Sequence, residues 1–209
     1  CLFAPMIAPG LLMQISTKLI LASQSPRRRE LLDRLELTFT VRVSPAEEVI
    51  PEGEPPDVVA QRIATQKAIP VAAQHPTALT LAADTIVVHD NEILGKPTSK
   101  RHAFEMLRRL RNTTHDVYTG VSLIHPASDR EVTCYERTRV IFGAMDSAEI
   151  DAYVASGSPM DKAGGYGIQD RMGPLYIERI EGDYYNVMGL PLRRLYTTLK
   201  SDFSDLLLL

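Results

Sequence analysis

The segment Leu19-Ile20-Leu21-Ala22-Ser23-Gln24-Ser25-Pro26-Arg27-Arg28-Arg29-Glu30-Leu31-Leu32 constrains the fold more than any other part of the chain. Its four apolar residues form a short strand of the buried type, and Ser25-Pro26 starts a helix, with serine at the cap and proline at the first helical position. A strand running straight into a helix belongs to an α/β architecture. Such a helix start presents unpaired backbone N–H groups and a partial positive charge. Three arginines at that end oppose the helix dipole and cost some stability. Their placement is explained if an anion, above all a phosphate chain, sits on the turn; the alternative is a solvated basic face.

With that strand and helix counted first, the elements follow in the order β-α-β-α-β-β-α-β-β-α-β-α. After the first helix (about 25–36), a strand at Phe39–Val43 leads into the acidic, proline-rich loop Ser44–Pro56. A helix is expected over about 57–74, with Val58, Val59, Ile63 and Ala64 on its apolar face and Lys67 near its middle. Leu79–Val88 is a near-continuous apolar run and reads as a central strand. Asp90-Asn91 turns it into Glu92–Leu94. Ser99 caps a helix carrying Ala103, Met106, Leu107 and Leu110. Val117–Ile124 and Glu131–Phe142 are two longer strands joined at Pro126–Arg130. Asp146 and Glu149 form a capping box, a glycine-rich loop spans Gly157–Gly173, a strand covers Leu175–Ile180, and a last helix is expected over Asn186–Lys200, starting in earnest near Leu190-Pro191. This mixture predicts an α/β protein with a mixed central sheet, flanking helices and two lobes around a cleft.

At 209 residues the chain can bury a sizeable core, and its net charge of −3 gives no general attraction to nucleic acid, so any basic site must be local. Cys1 and Cys134 make no metal or disulfide pattern, which fits a reducing cytoplasm. The apolar stretch Cys1–Met13 lacks a basic start, is broken by Pro5, Pro9 and Gly10, and is too short to span a membrane. Residues 1–14 are expected to be a disordered or non-native extension with Met13 or Met6 as the natural start. The expected domain covers 15–200, with 201–209 as a tail too short to anchor.

Asp84 is the sharpest single residue, because a carboxylate inside an apolar strand is expensive unless it is paired or binds a cation. It is either bonded to backbone at a strand end or a metal ligand or general base, with Thr85 beside it. Lys67, Lys96, Arg27 and Arg28 are candidate complements. No Gly-x-x-x-x-Gly-Lys-Ser/Thr and no strand-linked Gly-x-Gly-x-x-Gly is present, so a phosphate site would be built from scattered cations and one helix terminus. Glu47 and Glu48 offer a second carboxylate for Mg²⁺, which takes one or two carboxylates plus water and substrate phosphates. The histidines have no ligand spacing and the serines no Gly-x-Ser-x-Gly elbow, which disfavours a covalent nucleophile. In Asp161-Lys162-Ala163-Gly164-Gly165-Tyr166-Gly167-Ile168-Gln169, small residues permit close approach of a ligand, and Gln169 can read a base edge as donor and acceptor.

Taken in order, Leu-Ala-Ser-x-Ser-Pro-Arg-Arg (21–28), the Glu of the acidic loop, Lys67-Ala68, Ala-Asp-Thr (83–85), Gly-Lys-Pro (95–97), His115-x-Val-x-Thr-Gly, the 161–169 stretch, Ile-Glu-Gly (180–182) and Asn-Val-Met-Gly-Leu-Pro (186–191) resemble the Maf family of nucleoside triphosphate pyrophosphatases. The resemblance covers about residues 18–200. The form Ala-Gly-Gly-Tyr-Gly-Ile-Gln looks like the branch hydrolysing dTTP and UTP rather than the 7-methyl-GTP branch. The resemblance implies a two-lobed fold akin to inosine triphosphate pyrophosphatases, a divalent cation (Mg²⁺ or Mn²⁺), a nucleoside triphosphate substrate, a cytoplasmic location and a homodimer, with neither nucleic acid nor membrane as partner. It makes Asp84 the proton acceptor. Arg28 or its neighbour Arg27, Thr85 and Gln169 become specificity positions, Ser23, Lys67 and Lys96 phosphate contacts, and Asp84 with Glu48 the metal ligands. A non-enzymatic role in septum formation or cell shape, associated with the family, is the rival reading, and it would go with a damaged site.

Overall fold

The computed structural model describes residues 13–47 and 53–208. Its elements in chain order are β1 (Gln14–Ile15), β2 (Leu19–Leu21), α1 (Pro26–Asp33), β3 (Phe39–Val41), α2 (Pro56–Gln74), β4 (Leu79–His89), β5 (Glu92–Leu94), α3 (Lys100–Leu110), β6 (Thr114–His125), β7 (Arg130–Phe142), α4 (Ser147–Ala155), α5 (Gly173–Tyr176), β8 (Ile177–Glu181), α6 (Tyr184–Met188), α7 (Leu192–Asp202) and β9 (Leu207–Leu208). One sheet runs in the order β3-β2-β4-β6-β7-β8, with β5 also paired to β4. The β2–β3 and β2–β4 pairs are parallel and the rest antiparallel. This is the mixed α/β sheet that the order of elements predicts.

Strand alternation sorts the core into two layers. Leu19, Leu21, Leu79, Leu81, Ala83, Val121 and Leu123 face α1 and α7, where they meet Leu31, Leu32, Leu195, Leu199 and Phe203. Ile20, Ala22 and Ala82 point the other way and pack on Ala68, Val71 and Ala72 of α2. A further cluster joins Val87 and Val117 to α3 and α4 through Leu107, Leu110, Ile150 and Val154. At about 0.8 kcal/mol per buried methylene, these faces supply the main drive for folding.

Several local expectations meet corrections. Ser25 occupies the cap of α1 but its side chain makes no capping bond; the Ser23 hydroxyl, two residues earlier, instead accepts from the Ser25 amide at 3.2 Å. On α2, Ala60 rather than Val58 joins Val59, Ile63 and Ala64 in full burial. The last helix does start in earnest after Leu190-Pro191, as α7; the residues before it form the separate short helix α6, because Gly189 takes φ +123° and breaks the chain between the two. Packing also reaches past the expected boundaries at 14/15 and 200/201. Met13 and Phe203 are buried in the larger core, and β1 pairs with β9 across Gln14↔Leu208. The rest of the expected N-terminal extension, residues 1–12, lies outside the described residues.

Candidate active site

The cleft forms where the central strand loses a neighbour. On one flank of β4, β2 pairs with Leu79–Leu81 and β5 with Val87–His89. Between them Ala82–Ile86 has no strand partner on that flank among the described residues. The chain leaves β2 there and turns into α1, so a space opens beyond the end of a strand, where open α/β sheets place ligands. The cleft encloses about 560 Å³ and is lined by Ser23, Arg27, Arg28, Lys67, Asp84, Thr85, Lys96, Lys162, Tyr166 and Gln169, among others. The structure thus gathers every described residue singled out from the sequence for catalysis, specificity or phosphate. Glu48 lies outside the described residues.

Adjacent residues of β4 serve opposite faces. Asp84 shares the α2 face, and Lys67 Nζ donates to its Oδ1 at 2.5 Å. The carboxylate, 8% exposed, is therefore paired with a cation and not bonded only to backbone at a strand end. Thr85 points to the other face, where Arg28 binds it. Arg28 is 9% exposed. Its Nε donates to Gly189 O at 2.8 Å, Nη1 to Ser23 Oγ at 3.2 Å and Nη2 to Thr85 Oγ1 at 3.2 Å. The chain of hydroxyls continues, since Thr85 Oγ1 is 2.9 Å from Thr119 Oγ1, which donates to Asn186 O at 3.0 Å. A hydroxyl carries one proton. Thr119 uses its own on Asn186, so Thr85 must donate to Thr119 and accept from Arg28. The orientation of Thr85 is fixed from behind.

Arg27 turns the other way. Its Nη1 donates to Asp161 Oδ2 at 2.8 Å, and Lys162 Nζ donates to Asp161 Oδ1 at 2.8 Å. Partial burial pushes the Asp161 carboxyl up, but the bonds from Lys162 and Arg27 outweigh it and hold the group below its usual range. Of the two arginines, then, Arg28 reaches the strand and Arg27 bridges to the glycine-rich loop. Neither forms the solvated basic face that was the alternative reading. Lys96 is exposed at the cleft wall, and the neighbouring Gly95 O accepts from Gly164 N at 3.1 Å.

Gln169 lines the cleft with its Oε1 buried and, among the described residues, without a hydrogen-bond partner. A buried unpaired acceptor is costly. Behind the same loop, His115 Nε2 and Tyr166 Oη lie 2.7 Å apart. Burial pushes the His115 imidazole down to about 3 and the Tyr166 hydroxyl upward. Lys162, Tyr166, Thr119 and Asn186 were not singled out from the sequence as site residues, although all stand inside its dense motifs. What they do depends on partners far away in the chain.

Among the described residues no three His, Cys, Asp or Glu side chains gather into a metal cage. Asp84 alone, a hard oxygen donor on the cleft wall, fits a Mg²⁺ ion that takes most of its ligands from water and substrate phosphates. No helix among the described residues is long and apolar enough to cross a membrane.

The cleft thus gathers Lys67, Lys96, Lys162, Arg27 and Arg28 with the carboxylates of Asp84 and Asp161 at the start of α1. The family described as Maf-like protein matches residues 18–202, and the chain belongs to the Maf family. A protein of Salinibacter ruber named dTTP/UTP pyrophosphatase is 61% identical over 196 residues, covering 94% of this chain and 96% of its own. One of Bacillus mycoides with the same name is 49% identical over 188 residues, covering 90% and 97%. A HAM1 protein from Coxiella burnetii superposes with a TM-score of 0.48 at 18% identity over 88% of this chain and 98% of that one.

Proposed function

We propose that the chain is a nucleoside triphosphate pyrophosphatase that hydrolyses dTTP and UTP to the monophosphate and pyrophosphate. The observation that carries this reading is the placement of Asp84, held by Lys67, in a cleft whose walls carry Arg28 and Lys96 and the unpaired amide oxygen of Gln169. The relatives of Salinibacter ruber and Bacillus mycoides, both named dTTP/UTP pyrophosphatase, support it.

In this reading water attacks the α-phosphorus, its proton passes to an Asp84 oxygen, and the bond from the α-phosphorus to the bridging oxygen breaks so that pyrophosphate leaves. Lys67 fixes the rotamer of the Asp84 carboxylate. Ser23, Lys67, Lys96 and the start of α1 take the phosphates, and Arg28, braced by Gly189 and Thr85, contacts the substrate as a specificity residue beside Gln169. Asp84, together with Glu48, would hold Mg²⁺ or Mn²⁺, which supplies neutralisation of phosphate charge. No side chain needs to form a covalent intermediate, because phosphoryl chemistry of this kind is mostly positioning and electrostatics. The cytoplasmic location and the homodimer implied by the family resemblance belong to the same reading.

The test is a panel of dTTP, UTP, CTP, GTP and ATP with Mg²⁺ or Mn²⁺, with products resolved. Monophosphate and pyrophosphate from dTTP and UTP are expected. Release of orthophosphate and a diphosphate would overturn the reaction class, and equal turnover of all five would overturn the substrate assignment.

A further inference from the structure

The loop that carries Gln169 has little secondary structure to hold it. It passes through two glycines with positive φ, Gly164 at +68° and Gly165 at +73°, conformations that cost glycine nothing but favour no single path. Two side chains pin it on either side of Gln169. On the far side Asp170 Oδ2 accepts from Tyr153 Oη at 2.7 Å and from Ser158 Oγ at 2.6 Å. On the near side Tyr166, 5% exposed, reaches His115 on β6, 2% exposed. The Tyr166 ring also packs edge-on against Phe142, with centroids 4.7 Å apart. The hydroxyl bond to His115 is the one feature of Tyr166 that packing alone does not require, since phenylalanine would fill the same space.

We propose that Tyr166 and His115 are positioning residues for base recognition: their buried bond sets the depth at which Gln169 enters the cleft. The inference rests on the reading of Gln169 as the group that contacts the base. A base-reading amide must be held closely, because a displacement of about 1 Å can cost on the order of 10²-fold in rate. Gln169 can donate and accept at once, matching the adjacent carbonyl and ring N–H of uracil or thymine, whereas cytosine offers the opposite pattern. Loss of the His115–Tyr166 bond therefore falls on selectivity between these bases more than on turnover in general.

The experiment measures kcat/KM for UTP and CTP, with thermal stability, for the wild type, Tyr166→Phe, Gln169→Ala and the double variant. A buried hydrogen bond is worth about 1 kcal/mol, so Tyr166→Phe is expected to lower the UTP-to-CTP ratio by up to about fivefold. In the Gln169→Ala background the same change should produce no further loss of the ratio. His115→Gln, which keeps a hydrogen-bonding group near the place of Nε2, should retain more of the ratio than His115→Leu. A purely structural pair would instead lower the melting temperature and leave the ratio unchanged. That result, or a loss of the ratio that adds in full to that of Gln169→Ala, would overturn the proposal. A wild type that turns over neither dTTP nor UTP would overturn the functional reading and this inference with it.

Discussion

Asp84 and Gly120 stand directly opposite each other across β4 and β6, and helix α2 rests on Gly120 with no room for a side chain. A Cβ at Gly120 would lie 2.3 Å from both the carbonyl carbon and the oxygen of Ala60, and 2.5 Å from the Gln61 nitrogen. These are backbone atoms, so the helix itself would have to move. The same helix carries Lys67 to Asp84.

Gly120→Ala is therefore expected to destabilise the protein by about 1–3 kcal/mol or more, the usual range for overpacking. The fraction that folds should also lose turnover, because α2 cannot shift without moving Lys67. Urea unfolding alongside activity per folded molecule measures both. Wild-type stability would show that α2 can retreat freely.

Asp84→Asn should fold, since the amide is nearly isosteric, yet lose about 10²–10⁴ in rate if Asp84 is the general base. The variant keeps a hydrogen-bonding partner for Lys67 but cannot take a proton from water. Pyrophosphate release with UTP is the measurement. More than about half of wild-type activity would remove Asp84 from the role.

Arg28→Lys keeps the charge and loses the fork that spans Gly189, Ser23 and Thr85. An ammonium cannot reproduce those three directions. Losing charged hydrogen bonds worth about 1.5–3 kcal/mol each should raise KM for dTTP and UTP by roughly tenfold or more, with a lower melting temperature. A variant with unchanged KM would show that the guanidinium only braces the fold.

Acid stability follows from His115. Burial is the main reason its folded-state value lies at about 3 against an ordinary 6.5, with His89 adding to the effect and Asp116 opposing it. The unfolded chain binds this proton below about pH 6.5 and the folded chain does not until about pH 3. Stability from this group is thus complete above pH 6.5 and falls as pH drops through that window, by at most about 1.4 kcal/mol per pH unit. His115→Gln should flatten the fall between pH 7 and 5 in denaturant titrations. Parallel curves for the two proteins would contradict the neutral, buried imidazole.

Features that depend on near neighbours in the chain were legible in the sequence. Ser99 does cap α3, accepting from the His102 amide at 3.1 Å, and Asp146 with Glu149 closes both bonds of its capping box. The apolar run around Asp84 is the central strand. Features that depend on tertiary pairing were not legible. Two-residue strands such as β1 and β9 carry no periodicity, and their pairing joins positions at opposite ends of the chain. Arg27 and Arg28 are chemically equal as adjacent letters; only the direction in which each leaves α1 separates the partner of Asp161 from the partner of Thr85. The His115–Tyr166 bond spans 51 residues, and each residue alone reads as an ordinary core aromatic.

The bond from Arg28 to the Gly189 carbonyl has a consequence in time as well as in space, because its ends are 161 residues apart. During synthesis the strand and helix that carry Arg28 emerge first, but this contact of the buried guanidinium waits for a segment made 161 residues later. Contacts of such long range form only after much of the chain is already ordered. A nascent chain halted before α6 would hold Asp84 and Lys67 and still lack the Gly189 anchor of Arg28 and the Asn186 carbonyl behind Thr85. Competence should therefore arrive late and all at once, and a ribosome-bound fragment ending near residue 180 would be silent however well its sheet had formed.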